Sequence, residues 1–140
     1  NQVQTLPIKI PKKKPQQLYH NYLVCVDPNG DTLYQKRAGK GIWEGLYEFP
    51  LVVSPSILDK GLLLKEFESL KLPKLDVNEV VLFNQDPILH KLTHRHIYAH
   101  FWILSTPQII QQGMAIDAIE KYPTSVLISD FIKAFKNSYF

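Results

Sequence analysis

Residues 88–104 read ILHKLTHRHIYAHFWIL and contain four of the chain's five histidines. From Arg95 onward, polar and apolar side chains alternate with a period of two, which is typical of a β-strand. One set of alternate positions is apolar and predicts a face against a sheet core: Ile97, Ala99, Phe101 and Ile103. The other set predicts a half-exposed face: His96, Tyr98, His100 and Trp102. A buried strand is therefore expected directly after a polar, basic turn that spans His90–Arg95.

Composition limits the class of protein. A chain of 140 residues with 45% hydrophobic residues is long enough for one globular core and too short for two. Sixteen basic against thirteen acidic residues give a net charge of +3, and four of the basic residues are Lys9, Lys12, Lys13 and Lys14. Without these four, twelve basic residues face thirteen acidic ones. A nearly neutral body argues against non-specific coating of nucleic acid, although a short basic arm adds phosphate contacts.

The basic arm predicts a domain boundary. Residues 1–17 carry three prolines and four lysines, a composition that keeps a segment extended and solvated. We expect residues 1–17 to be an interdomain linker and residues 18–140 to form the domain. Because the chain begins at Asn1 inside this linker, it is expected to be a fragment of a longer protein.

Cysteine content and hydropathy exclude other classes. The single cysteine, Cys25, lies in an apolar run and allows neither a disulfide framework nor a cysteine-ligated cluster within the chain. We expect it to be a small core residue. The apolar runs are too short for a transmembrane helix, and no signal-peptide pattern occurs at the N-terminus. The pattern predicts a soluble, cytoplasmic protein without a membrane partner.

The order of predicted elements is that of an α+β domain. Leu18–Val26 and residues 32–37 predict a hairpin around the turn at Asn29 and Gly30. A glycine-rich loop then leads into a short strand before Pro50, with Trp43, Tyr47 and Phe49 anchoring it to the core. We expect a mixed or antiparallel sheet covered by helices.

Two helices and two further strands complete the prediction. Ser54 and Pro55 are typical of a helix start, and Leu63, Phe67 and Leu70 follow at helical spacing. Short strands are expected at residues 77–83 and 114–117, with one helical turn over residues 118–121. A last helix is expected after Thr124 or Ser125, with its apolar face formed by Leu127, Phe131, Ala134 and Phe135.

The histidine-rich stretch is open to three chemical interpretations. His94, His96 and His100 suggest a zinc or copper site, but no cysteine or carboxylate lies nearby in the strand to complete it. Thr93 or Ser105 beside a histidine suggests a nucleophile with its base, although neighbours on a strand point to opposite faces. Donors in the turn before the strand suggest contacts with a phosphate or a base edge.

Two motifs together resemble one family. Residues 35–50 read QKRAGKGIWEGLYEFP and resemble a segment in the C-terminal domain of MutY-type A/G-specific adenine DNA glycosylases. Residues 90–94, HKLTH, resemble the His-x-Phe-Ser-His loop of that family. The linker at Leu6–Lys9 and the segment Glu120–Thr124 fit as well, so the resemblance spans nearly the whole chain. Nudix hydrolases share the glycine-rich segment loosely.

The resemblance implies a Nudix-like domain that recognises 8-oxoguanine opposite adenine in double-stranded DNA, for base excision repair. Thr93 would take the role of the loop serine that hydrogen-bonds the oxidised base, and His94 would lie near the DNA backbone. His90, Leu92 and Arg95 complete the expected lesion-binding set, with Lys40 and Lys91 as secondary DNA-proximal candidates. Leu92 replaces the usual phenylalanine of the family, so this position lacks an aromatic face.

The same resemblance assigns catalysis to a different part of the parent protein. In the family, hydrolysis of the N-glycosidic bond belongs to an N-terminal domain with a [4Fe-4S] cluster. This fragment alone is therefore expected to have no catalytic residue, no metal and no cofactor, and to act with its own N-terminal domain.

Two alternatives remain open, a protein-interaction module and an active Nudix hydrolase of nucleoside diphosphate derivatives. The hydrolase requires the box G-x5-E-x7-R-E-x-x-E-E-x-G, whose carboxylates hold metal ions. The sixth position after Gly45 is Leu51, and the following helix offers only Glu66 and Glu68. The sequence thus predicts a Nudix-like fold without a functional Nudix box.

Overall fold

Two long neighbouring strands form the centre of the structure. The computed structural model describes residues 14–37, 44–70 and 75–139. Its strands are β1 (Gln16–Val26), β2 (Asp31–Thr32), β3 (Gln35–Lys36), β4 (Tyr47–Glu48), β5 (Leu51–Ser54), β6 (Glu79–Leu82), β7 (Ile88–Lys91), β8 (Arg95–Ser105) and β9 (Met114–Ala115). Its helices are α1 (Lys60–Ser69), α2 (Ile116–Ile119) and α3 (Val126–Tyr139).

The main sheet is mixed, and flanking helices make the domain α+β, as the sequence predicts. Strands β1 and β8 pair in parallel from Gln16 opposite Arg95 to Val26 opposite Ser105. β5 lies antiparallel on the other side of β1, and β6 and β7 both lie antiparallel on the free edge of β8. The strand order is β5-β1-β8-β6, with β7 also paired to β8.

The central strands are buried on both faces. Ala99, Phe101 and Ile103 pack into a core cluster with α3, and Ile97 on the same face is fully buried, which confirms the predicted core face. On the other face, Trp102 and Leu104 belong to a second cluster built around Leu63 and Phe67 of α1. Cys25 also belongs to this second cluster, so its prediction as a core residue is confirmed.

The prediction of a half-exposed second face is wrong for part of β8. His100 and Trp102 are each 3% exposed. Trp102 packs with the buried residues of α1, and His100 lies opposite the buried Asn21 of β1. The indole Nε1 of Trp102 donates a hydrogen bond to Asn21 Oδ1 at 3.2 Å, which satisfies its polar group inside the core. Nearer the turn, His96 and Tyr98 are half-buried as predicted.

The first predicted hairpin has the right turn but the wrong partner. Gly30 has a φ of 81°, and the buried carboxylate of Asp27 accepts hydrogen bonds from Asn29 N and Asp31 N at 2.8 and 2.9 Å. However, β2 pairs with β9, and β3 pairs with β4. β8 pairs along the whole of one edge of β1, and β5 pairs with Tyr19–Tyr22 on the other edge. A hairpin partner therefore cannot run along β1 as far as its predicted start at Leu18.

The start of α1 differs from the prediction, whereas α3 starts at one of the two predicted cap residues. Ser54 lies in β5, where its hydroxyl bonds to Asn21 and to Ser56 O, and α1 instead begins after Asp59, whose carboxylate accepts from Leu62 N at 2.8 Å. Ser125 caps α3 by accepting from Ile128 N at 3.3 Å. The predicted apolar face of α3 is confirmed at three positions, but Ala134 is exposed, and Ile128 and Ile132 are buried instead.

Shorter elements are shifted or fall partly outside the described residues. The strand predicted at 77–83 is β6, and residues 114–117 divide between β9 and α2. β1 begins at Gln16, two residues before the predicted domain start; residues 1–13 of the predicted linker, Trp43 and Lys40 lie outside the described part of the chain. Within the described residues, no helix has the length and apolar character needed to cross a membrane.

The side chain of Asn84 fixes where β7 begins. Between β6 and β7, its Oδ1 accepts from Phe101 N at 2.8 Å and its Nδ2 donates to Ala99 O at 2.9 Å. The amide group thus replaces the backbone of a strand residue and keeps two main-chain groups of β8 paired. As a result, β7 meets β8 in a defined register, and the turn between them has a defined position.

Replacing Phe131 tests the core beneath α3. Its ring stacks on Phe101 with centroids 4.0 Å apart and meets Phe83 edge-on at 5.1 Å. We expect Phe131→Ala to lower the free energy of unfolding by about 3–5 kcal/mol, because it removes a large buried side chain and leaves a cavity. Urea unfolding measures this change.

Val126→Ala is the matched control for that prediction. Val126 is on the same helix and is 73% exposed, so its truncation should change the free energy of unfolding by less than about 0.5 kcal/mol. Similar effects of the two substitutions would contradict the packing described for α3.

Candidate functional site

The predicted DNA-binding residues lie together in the β7–β8 hairpin. Leu92 N donates to Arg95 O at 2.7 Å, which closes a tight turn with Thr93 and His94 at its tip. His90 and Lys91 belong to β7 and Arg95 to β8. The sequence predicted these three as loop residues, and the structure corrects this, because the ladder between β7 and β8 extends to Lys91 opposite His96.

The backbone of this turn is held by a second strand. Gln16 N, at the start of β1, donates to His94 O at 3.0 Å. Among the described residues, positive φ angles occur at Gly30, Gly45 and Gln112, so Thr93 and His94 have ordinary backbone conformations. A side-chain substitution at either position is therefore expected to leave the turn intact.

The side chains of the turn face solvent. Lys91, Thr93, His94 and Arg95 are exposed, whereas His90 and Leu92 are half-buried. No acidic residue occurs between Asp86 and Asp117, so the hairpin carries two permanent positive charges and no negative one. A hydroxyl, an imidazole and a guanidinium group are thus presented on a rigid, cationic turn, which suits hydrogen bonding to phosphates and base edges.

The three histidines considered as metal ligands do not share one site. His94 is at the exposed tip and His96 is half-buried on β8, while His100 is 3% exposed in the core. Burial lowers the pKa of His100. Among residues 14–37, 44–70 and 75–139, no three His, Cys, Asp or Glu side chains are grouped so that they could hold a metal ion.

A buried polar group that the sequence did not single out lies on β1, four residues along the strand from Gln16. His20 of β1 is opposite Ala99 of β8 and is 3% exposed. Burial, and then the positive charges of Arg37 and Arg95, lower the pKa of His20 to about 4. The imidazole is therefore neutral at pH 7. The sequence places His20 in a predicted strand. It does not show that Arg95 of β8 and Arg37, the residue after β3, lie close enough to affect its pKa.

Arg37, whose positive charge acts on His20, forms an ion pair with Glu48. Arg37 Nη1 lies 2.8 Å from Glu48 Oε1, and both side chains are largely shielded from water. Burial raises the pKa of Glu48, and Arg37 opposes that rise. The two residues line a cleft of about 360 Å³ together with Gln35, Lys36, Phe49, Pro50 and Leu51.

The buried His20 predicts acid sensitivity. Its folded-state pKa is lowered from 6.5 to about 4, so between these values the unfolded chain binds a proton that the folded chain does not. Stability is then lost as the pH falls through this window, by about 2 kcal/mol between pH 7 and pH 5. Urea unfolding at the two pH values should show this loss in the wild-type chain.

The variant His20→Gln should lose about 2 kcal/mol less stability than the wild type over this range, because glutamine binds no proton; His100, whose pKa burial also lowers, is present in both proteins. Glu48 acts in the opposite direction, since its raised pKa makes the folded chain bind a proton first as the pH falls. Protonation of Glu48 is common to both proteins and therefore cancels in the comparison. An equal loss of stability in wild type and variant would contradict the role given to His20.

The comparison with known families agrees with the fold. The NUDIX domain family matches residues 21–134, which include the main sheet apart from the first five residues of β1, and most of α3. The mixed sheet with flanking helices defines a Nudix-like domain, and the chain belongs to the Nudix domain family. A comparison with curated proteins finds no match.

The carboxylates of α1 do not fit the magnesium site of a Nudix hydrolase. Glu66 and Glu68 of α1 are both exposed. Because they are two residues apart, a rotation of about 200° around the helix axis separates them, so they point to nearly opposite sides of the helix. They cannot bind one cation together, and Leu51 occupies the position where the box requires a glutamate.

Proposed function

We propose that this Nudix domain recognises 8-oxoguanine opposite adenine in double-stranded DNA. The observation that carries the proposal is the exposed Thr93 at the tip of a rigid, cationic hairpin turn. This is the position at which the sequence resembles the lesion-reading loop of MutY-type glycosylases. The hairpin and Gln16 hold the turn from both sides, so the hydroxyl is presented without a cost for ordering a loop.

The chemistry of the hydroxyl suits this lesion. Guanine presents a bare N7 acceptor, whereas 8-oxoguanine presents an N7–H donor and a C8 carbonyl. A hydroxyl donates and accepts, so it can bond to the oxidised edge in a way that differs from its bond to guanine. His94 and Arg95, both exposed beside Thr93, would hold the backbone phosphates that position the base.

The proposal also covers the parent protein. Residues 18–140 would be the recognition domain and residues 1–17 a linker to an N-terminal glycosylase domain with a [4Fe-4S] cluster. That domain would excise the adenine, and the present domain would direct it to the right base pair. Lys40 and Lys91 would add phosphate contacts, and Leu92 would contribute an aliphatic contact rather than a stacking one.

Replacing Thr93 tests the reading of the lesion. We expect Thr93→Ala to reduce the preference of this chain for an 8-oxoguanine:A duplex over a G:A duplex by about 1–3 kcal/mol, the value of one lost polar contact. Fluorescence anisotropy with the two labelled duplexes, at one fixed salt concentration, measures the preference.

Three further variants make that experiment specific. Thr93→Ser keeps the hydroxyl and should keep the preference, and Ser138→Ala removes an exposed hydroxyl of α3 and should change nothing. Arg95→Ala should weaken binding to the two duplexes equally. It should also lower the salt dependence of binding by about one phosphate contact. A preference that is the same in wild type and Thr93→Ala would refute the role of Thr93.

The hydrolase alternative has its own test. Because the carboxylates do not fit a metal site, we expect the chain with magnesium to release no phosphate or nucleoside monophosphate from nucleoside triphosphates or diphosphate sugars. Ion-exchange chromatography of the products measures this. Turnover that disappears in Glu66→Gln would establish the hydrolase instead.

A further inference from the structure

An open area of the main sheet lies next to the lesion-reading turn, on the face that α1 covers farther along. On this face, Asn21 and His100 are buried, with 1% and 3% of their surfaces exposed. The next residues toward the turn, Tyr19 and Tyr98, are half-buried. The cover of this face therefore ends between these two rows. We call the six residues beyond that point the tyrosine surface: Gln17, Tyr19, Leu89, Lys91, His96 and Tyr98.

The first row of the tyrosine surface is aromatic and apolar. Tyr19 of β1 is directly opposite Tyr98 of β8, and their rings stack with centroids 5.1 Å apart and an angle of 23° between planes. On the other side of Tyr98 lies Leu89 of β7, which is 43% exposed. Three neighbouring strands thus supply a continuous apolar row that is only half covered by the protein.

The second row is polar and cationic. His96 lies opposite Gln17 on one side and opposite Lys91 on the other. Gln17 and Lys91 are exposed and His96 is half-buried. This row is the one nearer to the turn, because Lys91 and His96 form the last described pair of the β7–β8 ladder before Leu92.

The strands that form both rows carry no negative charge. No acidic residue occurs before Asp27, and none occurs between Asp86 and Asp117. β1, β7 and β8 all lie within these two ranges. The tyrosine surface therefore complements a polyanion that also has flat, apolar groups, and it is continuous with the turn that carries Thr93.

We propose that the tyrosine surface binds single-stranded DNA, with one or two unpaired bases against the tyrosine pair and the phosphates along Lys91 and His96. The choice of DNA rests on the proposed function; the surface itself does not depend on Thr93. Bases stack on aromatic side chains without strong sequence preference, and a cationic border holds the backbone. Such a surface would hold nucleotides that leave the duplex beside the recognised base pair.

The dimensions of the surface agree with this occupant. Three neighbouring strands place the first row over about 10 Å, and the two rows are about 7 Å apart along the strands. This is room for one or two bases with their phosphates on one side. It is too small an area for a stable protein partner, which requires a patch of roughly 800 Å² on each side.

Binding of a fluorescein-labelled oligothymidylate of about ten nucleotides to the whole chain tests the proposal. We expect Tyr98→Ala to weaken binding about tenfold, and Tyr98→Phe, which keeps the ring, to bind like wild type. Lys91→Ala should lower the salt dependence of binding by about one contact. Tyr122→Ala is the matched control, because Tyr122 is 37% exposed and lies outside the surface, and it should leave binding unchanged.

A second measurement does not depend on the stability of the variants. An oligothymidylate with 5-iodouracil, irradiated on the wild-type chain, should crosslink to Tyr19 or Tyr98, as peptide mass spectrometry would show. Absence of binding to the wild-type chain, crosslinks confined to other residues, or unchanged affinity in Tyr98→Ala would each overturn the proposal.

The same proteins separate this proposal from the proposed function. Tyrosine-dependent binding of the single strand without any preference for the oxidised duplex would refute lesion recognition and leave the tyrosine surface established. A Thr93-dependent preference with no role for Tyr98 would refute the surface and leave lesion recognition established.

Discussion

The parallel pairing of β1 with β8 is the constraint on which the rest of the structure depends. It extends along all 11 residues of β1, and its two faces are the floors of the two core clusters. Because both strands are nearly fully buried at one end, every other element has to cover them or extend the sheet. The other end of the same pair remains open, and the candidate site is there, directly beside the last hydrogen bond between Gln16 and His94.

Each long strand therefore has a structural half and a surface half. In β8, Ala99 to Leu104 are buried, whereas Arg95, His96 and Tyr98 have surface in contact with water. The buried half contributes most of the hydrophobic stabilisation, and it gives the open half a fixed geometry. A recognition turn built on such a strand loses little conformational entropy on binding, because its backbone is already ordered by hydrogen bonds to β1 and β7.

The sequence was informative where the signal is local. Alternation predicted β8 and its core face, and the Asn29 and Gly30 turn was visible as turn chemistry. The histidine-rich turn was placed before β8 but predicted too long, because His90, Lys91 and Arg95 belong to strands. Pairing is not local: the partner of β1 lies 79 residues farther along, at Arg95 opposite Gln16, and nothing in residues 27–37 shows that both edges of β1 are occupied. The burial of Trp102 likewise depends on α1, which is distant in sequence. Ser54 was misread because its hydroxyl bonds to Asn21 rather than capping a helix.

In this domain, the residues that stabilise the fold and the residues that could carry chemistry lie in different places. The Nudix fold requires the sheet, its two clusters and α3, and all of these are present. Hydrolysis would require carboxylates converging on a metal from one helix, and α1 carries two that point apart. The exposed side of α1 does not contribute to the core, because Leu63 and Phe67 on its buried side do the packing. The turn at the open end of the β1–β8 pair lies outside both clusters, so its exposed side chains can differ between members of one fold without disturbing the core.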